Sequence, residues 1–186
     1  MLHEQQLVAK ILQGDARSFE LLVKQYEKLV IHVTSRLIKR EEDITDVCQE
    51  VFIKVYHGLG KFTFKSKLST WIARIAYLSS INHLRKYKTE SHYRITEDIE
   101  LDNYHFSEET PERLLIKKDV AAYIQHLVMQ LPLAYRTVLT LYHLEEFSYN
   151  EIQEITGMPE GTIKSYLSRA RVLLKDKLTV YLKNEG

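Results

Sequence analysis

SYNEIQEITGMPEGTIKSYLSRARVLL, residues 148–174, predicts two helices joined by a tight turn. Ser148 and Glu151 have the Ser-x-x-Glu spacing of a capping box, in which the two residues satisfy each other's backbone N–H groups at a helix start. Gly157 suits the turn, and Pro159 suits the start of the next helix. A short capped helix, a glycine turn and a longer basic helix form a helix-turn-helix, whose second helix enters the DNA major groove.

The second helix of this motif has an apolar side and a small, polar side. At about 100° per residue, four apolar residues fall within one narrow arc and are predicted to be buried: Ile163, Leu167, Ala170 and Leu174. The other side, called here the reading face, consists of Gly161, Thr162, Lys164, Ser165, Ser168 and Arg169. Its small residues allow close approach to a phosphate or a base edge, although an ordinary solvated face has the same polarity.

Helical periodicity continues on both sides of this motif. Apolar residues recur at three- and four-residue steps over 112–131, and Pro132 opens a further helix. The N-terminal half predicts three helices in the same way: Phe19 to Leu37 with Asp15 as N-cap, about 43–59, and about 69–87. Six Gly and three Pro are too few for an all-β chain of 186 residues. The predicted fold class is therefore all-α.

Charge divides the chain into three parts, although the formal net charge of the whole is only +1. Residues 1–89 hold 15 Lys and Arg against 9 Asp and Glu, residues 90–112 hold 1 against 8, and residues 113–186 hold 10 against 8. The net charges are +6, −7 and +2. Two small helical domains, 1–89 and 113–186, are therefore predicted, joined by an acidic linker over 90–112 that lacks periodicity. Two basic blocks are typical of a polyanion-binding protein.

The segment from Lys61 to Thr89 contains no acidic residue and interleaves Lys and Arg with aromatic residues. Positive charge follows a phosphate backbone, and aromatic faces stack on unpaired bases. This composition favours binding of a single strand taken out of its duplex. Apolar residues spread around most of the predicted 69–87 helix, so the pattern assigns neither Trp71 nor Tyr77 to core or surface.

The helix containing DVCQEVFIKVY, residues 46–56, has two distinct faces. Its predicted core stripe consists of Ile44, Val47, Val51 and Val55. Nearly opposite is a set called here the Ile53 patch: Asp46, Gln49, Glu50 and Ile53. An apolar residue among acids and amides on an outer face indicates a protein interface, while a solvated face with one stray Ile is the alternative.

Several protein classes are excluded by what the sequence lacks. With Cys48 as the only cysteine, neither an intramolecular disulfide nor a multi-cysteine zinc site can form. No HExxH, Gly-rich phosphate loop or nucleophile motif occurs, so no metal, cofactor or catalytic residue is predicted and an enzyme is not expected. The N-terminus lacks the apolar core of a signal peptide, and no apolar run reaches the roughly 18 residues of a membrane span. A cytoplasmic protein without membrane insertion is predicted.

Three stretches resemble, in order, a bacterial RNA polymerase sigma factor of the extracytoplasmic-function (ECF) group: DVCQEVFIKVY (46–56), STWIARIAYLSSINHLRK (69–86) and residues 131–174. The resemblance covers nearly the whole chain. It implies that the first domain is region two, which binds the clamp helices of core polymerase and reads and opens the minus-ten element. The second would be region four, which reads the minus-thirty-five element and lies on the flap. Implied partners are core polymerase, duplex and single-stranded promoter DNA, and an anti-sigma factor, with the free protein a monomer.

The resemblance also implies roles for individual residues. Core binding falls on the Ile53 patch, and minus-thirty-five recognition falls on the reading face. Minus-ten recognition and melting fall on a set called here the melting surface: Lys61, Phe64, Lys65, Lys67, Ser69, Trp71, Arg74, Asn82 and Arg85. Three positions depart from the family pattern, so the promoter sequence is not predicted: Leu78 (often Asn), Asn82 (usually Asp) and Tyr166 (usually Arg).

Two other functional classes are alternatives. A helix-turn-helix regulator would bind an operator without acting as a polymerase subunit, but a duplex-only binder has little use for a basic aromatic loop. An anti-sigma or adaptor protein would bind polymerase without touching DNA. Transcription with core polymerase and a promoter library separates the three classes, because only a sigma factor makes core initiate at discrete sites.

Overall fold

The computed structural model of the chain describes residues 2–87 and 120–184, with side-chain surroundings over 4–86 and 123–179. The residues described form helices in the order α1 (Leu2–Leu12), α2 (Ala16–Leu37), α3 (Glu41–Gly58), a 3-10 turn (Leu59–Lys61), α4 (Leu68–Tyr87), α5 (Val120–Gln130), α6 (Leu133–His143), α7 (Tyr149–Thr156) and α8 (Glu160–Asn184). The all-α prediction is confirmed. The linker predicted over 90–112 lies outside the described residues.

Helices α1 to α4 form the first unit, in which α2 contacts α1, α3 and α4. Asp15 caps α2 as predicted, since its carboxylate accepts hydrogen bonds from the Arg17 N–H at 3.0 Å and from the Ser18 hydroxyl at 2.7 Å. The sequence analysis does not predict α1. Its signal is the four-residue spacing of Leu7 and Ile11, both buried, which is a weak pattern in so short a helix.

Helices α5 to α8 form the second unit, and its turn chemistry is as predicted. Ser148 and Glu151 make the capping box, with the Ser148 N–H donating to Glu151 Oε2 at 2.9 Å and the Glu151 N–H donating to Ser148 Oγ at 3.4 Å. Gly157 ends α7 with a φ of +77°, a left-handed conformation that favours glycine. The predicted arc of α8 is buried, with Ile163 and Ala170 fully inaccessible.

The two units pack directly against each other. Helix α7 lies along α4, and α6 lies against α2. Buried apolar residues from both units belong to one continuous cluster. The helix predicted to melt DNA is therefore in contact with the helix-turn-helix.

The residues that the structure describes contain neither a membrane-spanning helix nor a group of metal ligands. Within residues 2–87 and 120–184, no helix is long and apolar enough to cross a membrane. Over the same two ranges, no three His, Cys, Asp or Glu side chains are grouped as metal ligands.

Candidate nucleic-acid and polymerase interfaces

The Ile53 patch lies on the outer face of α3. Three valines on the inner face are buried, as the predicted stripe requires: Val47, Val51 and Val55. All four patch residues are exposed, and Ile53 leaves 58% of its surface open to solvent. Glu50 forms an ion pair with Lys54 at 2.6 Å. Tyr56, which the sequence analysis does not include, is also exposed and packs edge-on against Phe19 at 5.0 Å. This helix thus presents apolar side chains within a polar rim, as protein interfaces do.

A cluster of aromatic rings holds the basic loop between α3 and α4. The Phe62 ring centroid lies 4.7 Å from that of Phe64 and 5.0 Å from that of Trp71. Phe64 has a φ of +55°, in the left-handed region that non-glycine residues rarely adopt. Gly58 leaves room for the indole, because a Cβ there would lie 2.9 Å from a ring atom of Trp71. Trp71 is therefore fixed and half-buried, and the chain just before α4 carries three exposed lysines: Lys61, Lys65 and Lys67.

The other melting-surface residues on α4 are divided between two sides of the helix. Trp71, Arg74, Asn82 and Arg85 project within about 80° of one another, and the last three are exposed. Ser69 projects about 160° away from Trp71, so the structure separates it from this group. Tyr77, which the sequence left unassigned, is a core residue with 3% of its surface exposed. Burial raises the pKa of its phenol.

The reading face lies on the open side of α8, as predicted. Three of its residues are exposed and three are partly exposed: Gly161, Lys164 and Ser168, then Thr162, Ser165 and Arg169. Lys164 forms an ion pair with Glu160 at 2.6 Å, one turn before it. Tyr166, where the family usually has Arg, is buried and packs on Tyr135 with ring centroids 5.0 Å apart. The tyrosine that departs from the family pattern at this position therefore contributes to the core.

A cationic and aromatic group, not predicted from the sequence, lies beside the reading face. The rings of Tyr142 and Tyr149 stack at 5.2 Å with an interplanar angle of 13°. Lys164 lies over the Tyr149 ring at 5.3 Å, and Arg171 lies over the Tyr142 ring at 5.5 Å. Arg171 also contacts His143, and burial together with the charge of Arg171 lowers the pKa of that imidazole. Its signal in the sequence is the seven-residue spacing of Lys164 and Arg171, which places both cations on one face of α8.

Part of the melting surface is bound by α7. Lys67 Nζ lies 3.0 Å from Glu151 Oε1, and the hydroxyl of Thr70 donates to the same oxygen at 3.2 Å. Arg74 Nη1 donates to the carbonyl oxygen of Glu154 at 2.9 Å. Burial opposes the charge on Glu151, but hydrogen bonds from Ser148 and the ion pair with Lys67 outweigh it and lower the pKa of this carboxyl to about 2.

A second set of polar contacts joins α2 to residues at both ends of α6. Arg136 is buried, and its guanidinium donates to the carbonyl oxygens of Met129 at 3.0 Å and Leu37 at 3.4 Å. Leu37 ends α2, where unpaired carbonyls favour a cation. His32 Nδ1 lies 2.6 Å from Glu145 Oε1. The two units are thus joined by specific polar bonds at two places.

A cleft of about 510 Å³ opens between the C-terminal half of α4 and the turn of the helix-turn-helix. Asn82 and Arg85 of the melting surface line one side. Gly157 and Thr162 line the other. Residues assigned to two different promoter elements therefore face the same narrow space.

Comparison with known families gives a match for each unit. Residues 22–90 match Sigma-70 region 2, and residues 121–174 match Sigma-70, region 4. The RNA polymerase sigma-H factor of Pseudomonas aeruginosa is 35% identical to this chain, covering 97% of it and 96% of the relative. The ECF RNA polymerase sigma-E factor of Haemophilus influenzae is 35% identical, covering 95% of this chain and 96% of the relative. The sigma-E factor of Escherichia coli is 32% identical, with 95% of each covered.

Two solved structures share the fold at low sequence identity. One is described as CnrH in complex with the cytosolic domain of CnrY; its TM-score is 0.65 at 21% identity, with 94% of this chain and 96% of that chain covered. The other is the sigma factor RpoE in complex with the anti-sigma factor NepR from Bartonella quintana; its TM-score is 0.67 at 20% identity, with 89% and 99% covered. These two similarities show that the helices of this chain are arranged as in those structures.

Proposed function

This chain belongs to the sigma-70 family, in its extracytoplasmic-function group, and on that premise we propose that it binds core RNA polymerase and directs initiation at specific promoters. The observation that carries the proposal is the whole-chain similarity to named sigma factors, 35% identity over 97% of the chain. The similarity spans both units in one order, which an isolated helix-turn-helix regulator would not require. Residues 1–89 and 113–186 act as the two functional domains, joined by 90–112.

Binding to core polymerase takes place through the Ile53 patch. Its residues are exposed on a helix whose other face is buried, so they can be covered by a partner without disturbing the fold. Ile53 and the adjacent Tyr56 supply apolar area, and Asp46 and Glu50 supply charge at the rim. Such a mixture favours a helical partner with apolar and basic side chains, such as the clamp helices.

Promoter recognition is divided between the two domains. The reading face enters the major groove at the minus-thirty-five element, where Lys164 and Arg169 contact phosphates or base edges. The exposed lysines before α4 hold the phosphates of the minus-ten strand, and the ring cluster with Phe64 receives unstacked bases. The binding energy of the holoenzyme drives strand opening, so no catalytic residue or cofactor is needed.

An anti-sigma factor is the proposed regulatory partner. The related structure of RpoE contains the anti-sigma factor NepR, and the fold of this chain is similar to that structure over 89% of its length. The chain acts in the cytoplasm with polymerase, and it is a monomer when free.

In vitro transcription tests the proposed function directly. The purified chain is mixed with core polymerase and a library of promoter fragments, and RNA 5′ ends are mapped. Initiation at discrete sites that share two sequence elements is the expected result. An operator-binding regulator would shift DNA without making core initiate, and an anti-sigma or adaptor protein would bind polymerase but start no transcript. Either outcome would overturn the proposal.

A further inference from the structure

The guanidinium of Arg171 is bonded to a neutral imidazole. Its Nε and Nη2 atoms lie 3.2 Å and 3.1 Å from His143 Nε2. Because arginine has only donors, this nitrogen accepts both bonds, and the imidazole carries its proton on Nδ1. A phosphate binds the same side of a guanidinium through two oxygens, and more strongly, because it is itself charged. Arg171 is therefore held by a partner that a phosphate can replace.

A tyrosine ring holds the guanidinium and the imidazole side by side. Arg171 lies over the Tyr142 ring at 5.5 Å, and the same ring packs edge-on against His143 at 5.0 Å. Tyr142 in turn stacks on Tyr149 at 5.2 Å. Both His143 and Arg171 are exposed, although they are fixed by these contacts. The pair is thus an ordered and accessible group on the surface of the second unit.

This pair lies at one edge of the reading face. At about 100° per residue, Lys164, Arg171 and Lys175 project within about 40° of one another on α8, and all three are exposed. A helix with its side chains is about 10–12 Å across, and the major groove is about 12 Å wide. Groups at the edge of the reading helix therefore meet the phosphates that border the groove. His143, the last residue of α6, adds a second side chain at this edge.

The charge that faces His143 comes from α8. Burial and then the positive charge of Arg171 lower the pKa of the imidazole, so it is neutral near pH 7. Its other titratable neighbours, the phenols of Tyr142 on α6 and Tyr149 on α7, are uncharged at that pH. Glu145, two residues along the chain, is bonded to a histidine of α2 at 2.6 Å. A phosphate beside Arg171 would reverse the sign of the local charge and favour a protonated imidazole.

We propose that Arg171 and His143 form a proton-dependent site for one backbone phosphate of the promoter, at the edge of the reading face. The inference rests on the proposed function, because it concerns DNA that the reading face holds. The phosphate replaces the imidazole as the partner of Arg171. Protonation of His143 then turns Nε2 from an acceptor into a donor, so both side chains donate to the phosphate. Binding takes up a proton, and affinity for the minus-thirty-five element therefore rises as the pH falls.

His143→Gln tests the site with little change in shape. The amide oxygen of Gln still accepts from Arg171, but the side chain does not titrate. His126→Gln, on α5 of the same unit, is the matched control for loss of one imidazole. The measurement is the Kd of preformed holoenzyme for a labelled duplex that carries a mapped minus-thirty-five element, followed by fluorescence anisotropy between about pH 7.5 and about pH 6.

Over this pH range the affinity of wild type is expected to rise about threefold or more beyond that of His143→Gln, and His126→Gln is expected to follow wild type. The comparison isolates His143, because the other titrating groups of the holoenzyme are shared. The same pH dependence in wild type and His143→Gln would overturn the proposal. Thermal unfolding monitored by circular dichroism confirms that both variants fold.

The salt dependence of binding tests the contribution of Arg171. Arg171→Gln should weaken binding about equally across single-base variants of the minus-thirty-five element. It should also reduce the slope of log Kd against log salt concentration by about one, since one phosphate contact is lost. A loss confined to one base pair, or an unchanged slope, would overturn the phosphate site.

Failure of this site is distinguishable from failure of the proposed function. If wild-type holoenzyme does not initiate at discrete sites, the proposed function is wrong whatever the pH dependence is. If it does initiate at discrete sites while wild type and His143→Gln respond equally to pH, only the phosphate site is wrong.

Discussion

The two helices assigned to DNA, α4 and α8, are buried in different ways. On the N-terminal part of α8 the predicted arc is buried, and the opposite side is open. On α4, buried residues spread over about 220° of the helix and leave only a narrower arc exposed: Leu68, Thr70, Ile72, Ala73, Ala76, Tyr77, Ser79, Ser80 and Ile81. The reason is that α4 packs against α2 and α3 and also against α7. Helical periodicity therefore reveals a binding face only where burial is one-sided.

The same difference has a functional consequence. The reading face keeps an open side, whereas Lys67 and Arg74 of the melting surface already bind α7. Of the two proposed DNA surfaces, the one on α4 has polar groups bonded to the other unit in this structure. Substitutions on each helix test this difference between α4 and α8.

The largest expected effect separates the two aromatic residues that the α4 pattern could not assign. Tyr77→Ala should lower the free energy of unfolding by about 3–5 kcal/mol, because it empties a fully buried site. Trp71→Ala should lower the free energy of unfolding by clearly less, since the indole is only half-buried. Urea unfolding followed by circular dichroism measures both. A near-neutral Tyr77→Ala would mean that this part of α4 is not packed as the structure describes.

On α8, Arg169→Ala should weaken promoter binding by about 1–3 kcal/mol if the guanidinium reads a base. The loss should then be concentrated at one position of a panel of single-base variants of the minus-thirty-five element. A uniform loss across the panel would indicate a phosphate contact instead. Unchanged binding on every variant would remove Arg169 from the reading face.

The Ile53 patch offers a surface that neither DNA helix covers. Replacing both Gln49 and Ile53 with Ala should reduce affinity for core polymerase about tenfold or more, because apolar area at the centre of an interface is lost. The free energy of unfolding should change by less than about 1 kcal/mol, as is usual for exposed positions. Native gel electrophoresis of complexes with core polymerase measures the affinity, and urea unfolding measures the free energy of unfolding. Loss of stability in step with loss of binding would place these residues in the core.

The smallest expected effect is the pH dependence of the contact between α7 and α4. The pKa of Glu151 is lowered from 4.5 to about 2, so its carboxylate stabilises the folded state at pH values above about 4.5. That contribution is lost as the pH falls from 4.5 toward 2. The difference in Tm between wild type and Glu151→Gln should therefore shrink over this range. The control Asp176→Asn removes a negative charge at an exposed position on α8, and its Tm difference should not follow the same course. A difference independent of pH would contradict the ion pair.

Most of the second domain is predictable from the sequence because its signals are local. The capping box at Ser148, the left-handed Gly157 and the arc beginning at Ile163 depend on neighbours within a few residues. The Ile53 patch is likewise predicted, because α3 is buried on one side only.

What the sequence does not predict depends on contacts between distant parts of the chain. The sequence around Glu151 predicts a capping residue, but it does not predict that the second carboxylate oxygen binds Lys67. The ring stack of Tyr142 and Tyr149, with Arg171 beside it, joins three different helices or their ends. The half-burial of Trp71 follows from the space left by Gly58, which no periodicity indicates.

Permanganate reactivity of promoter thymines measures strand opening at the bases that the melting surface is proposed to hold. Reactive thymines near the start site are expected only when the chain and core polymerase are both present. Trp71→Ala is expected to reduce this reactivity on duplex DNA, and a template with a pre-melted bubble is expected to restore transcription by that variant. Opening by core polymerase alone, or full opening by a properly folded Trp71→Ala variant, would show that the melting surface does not open the promoter.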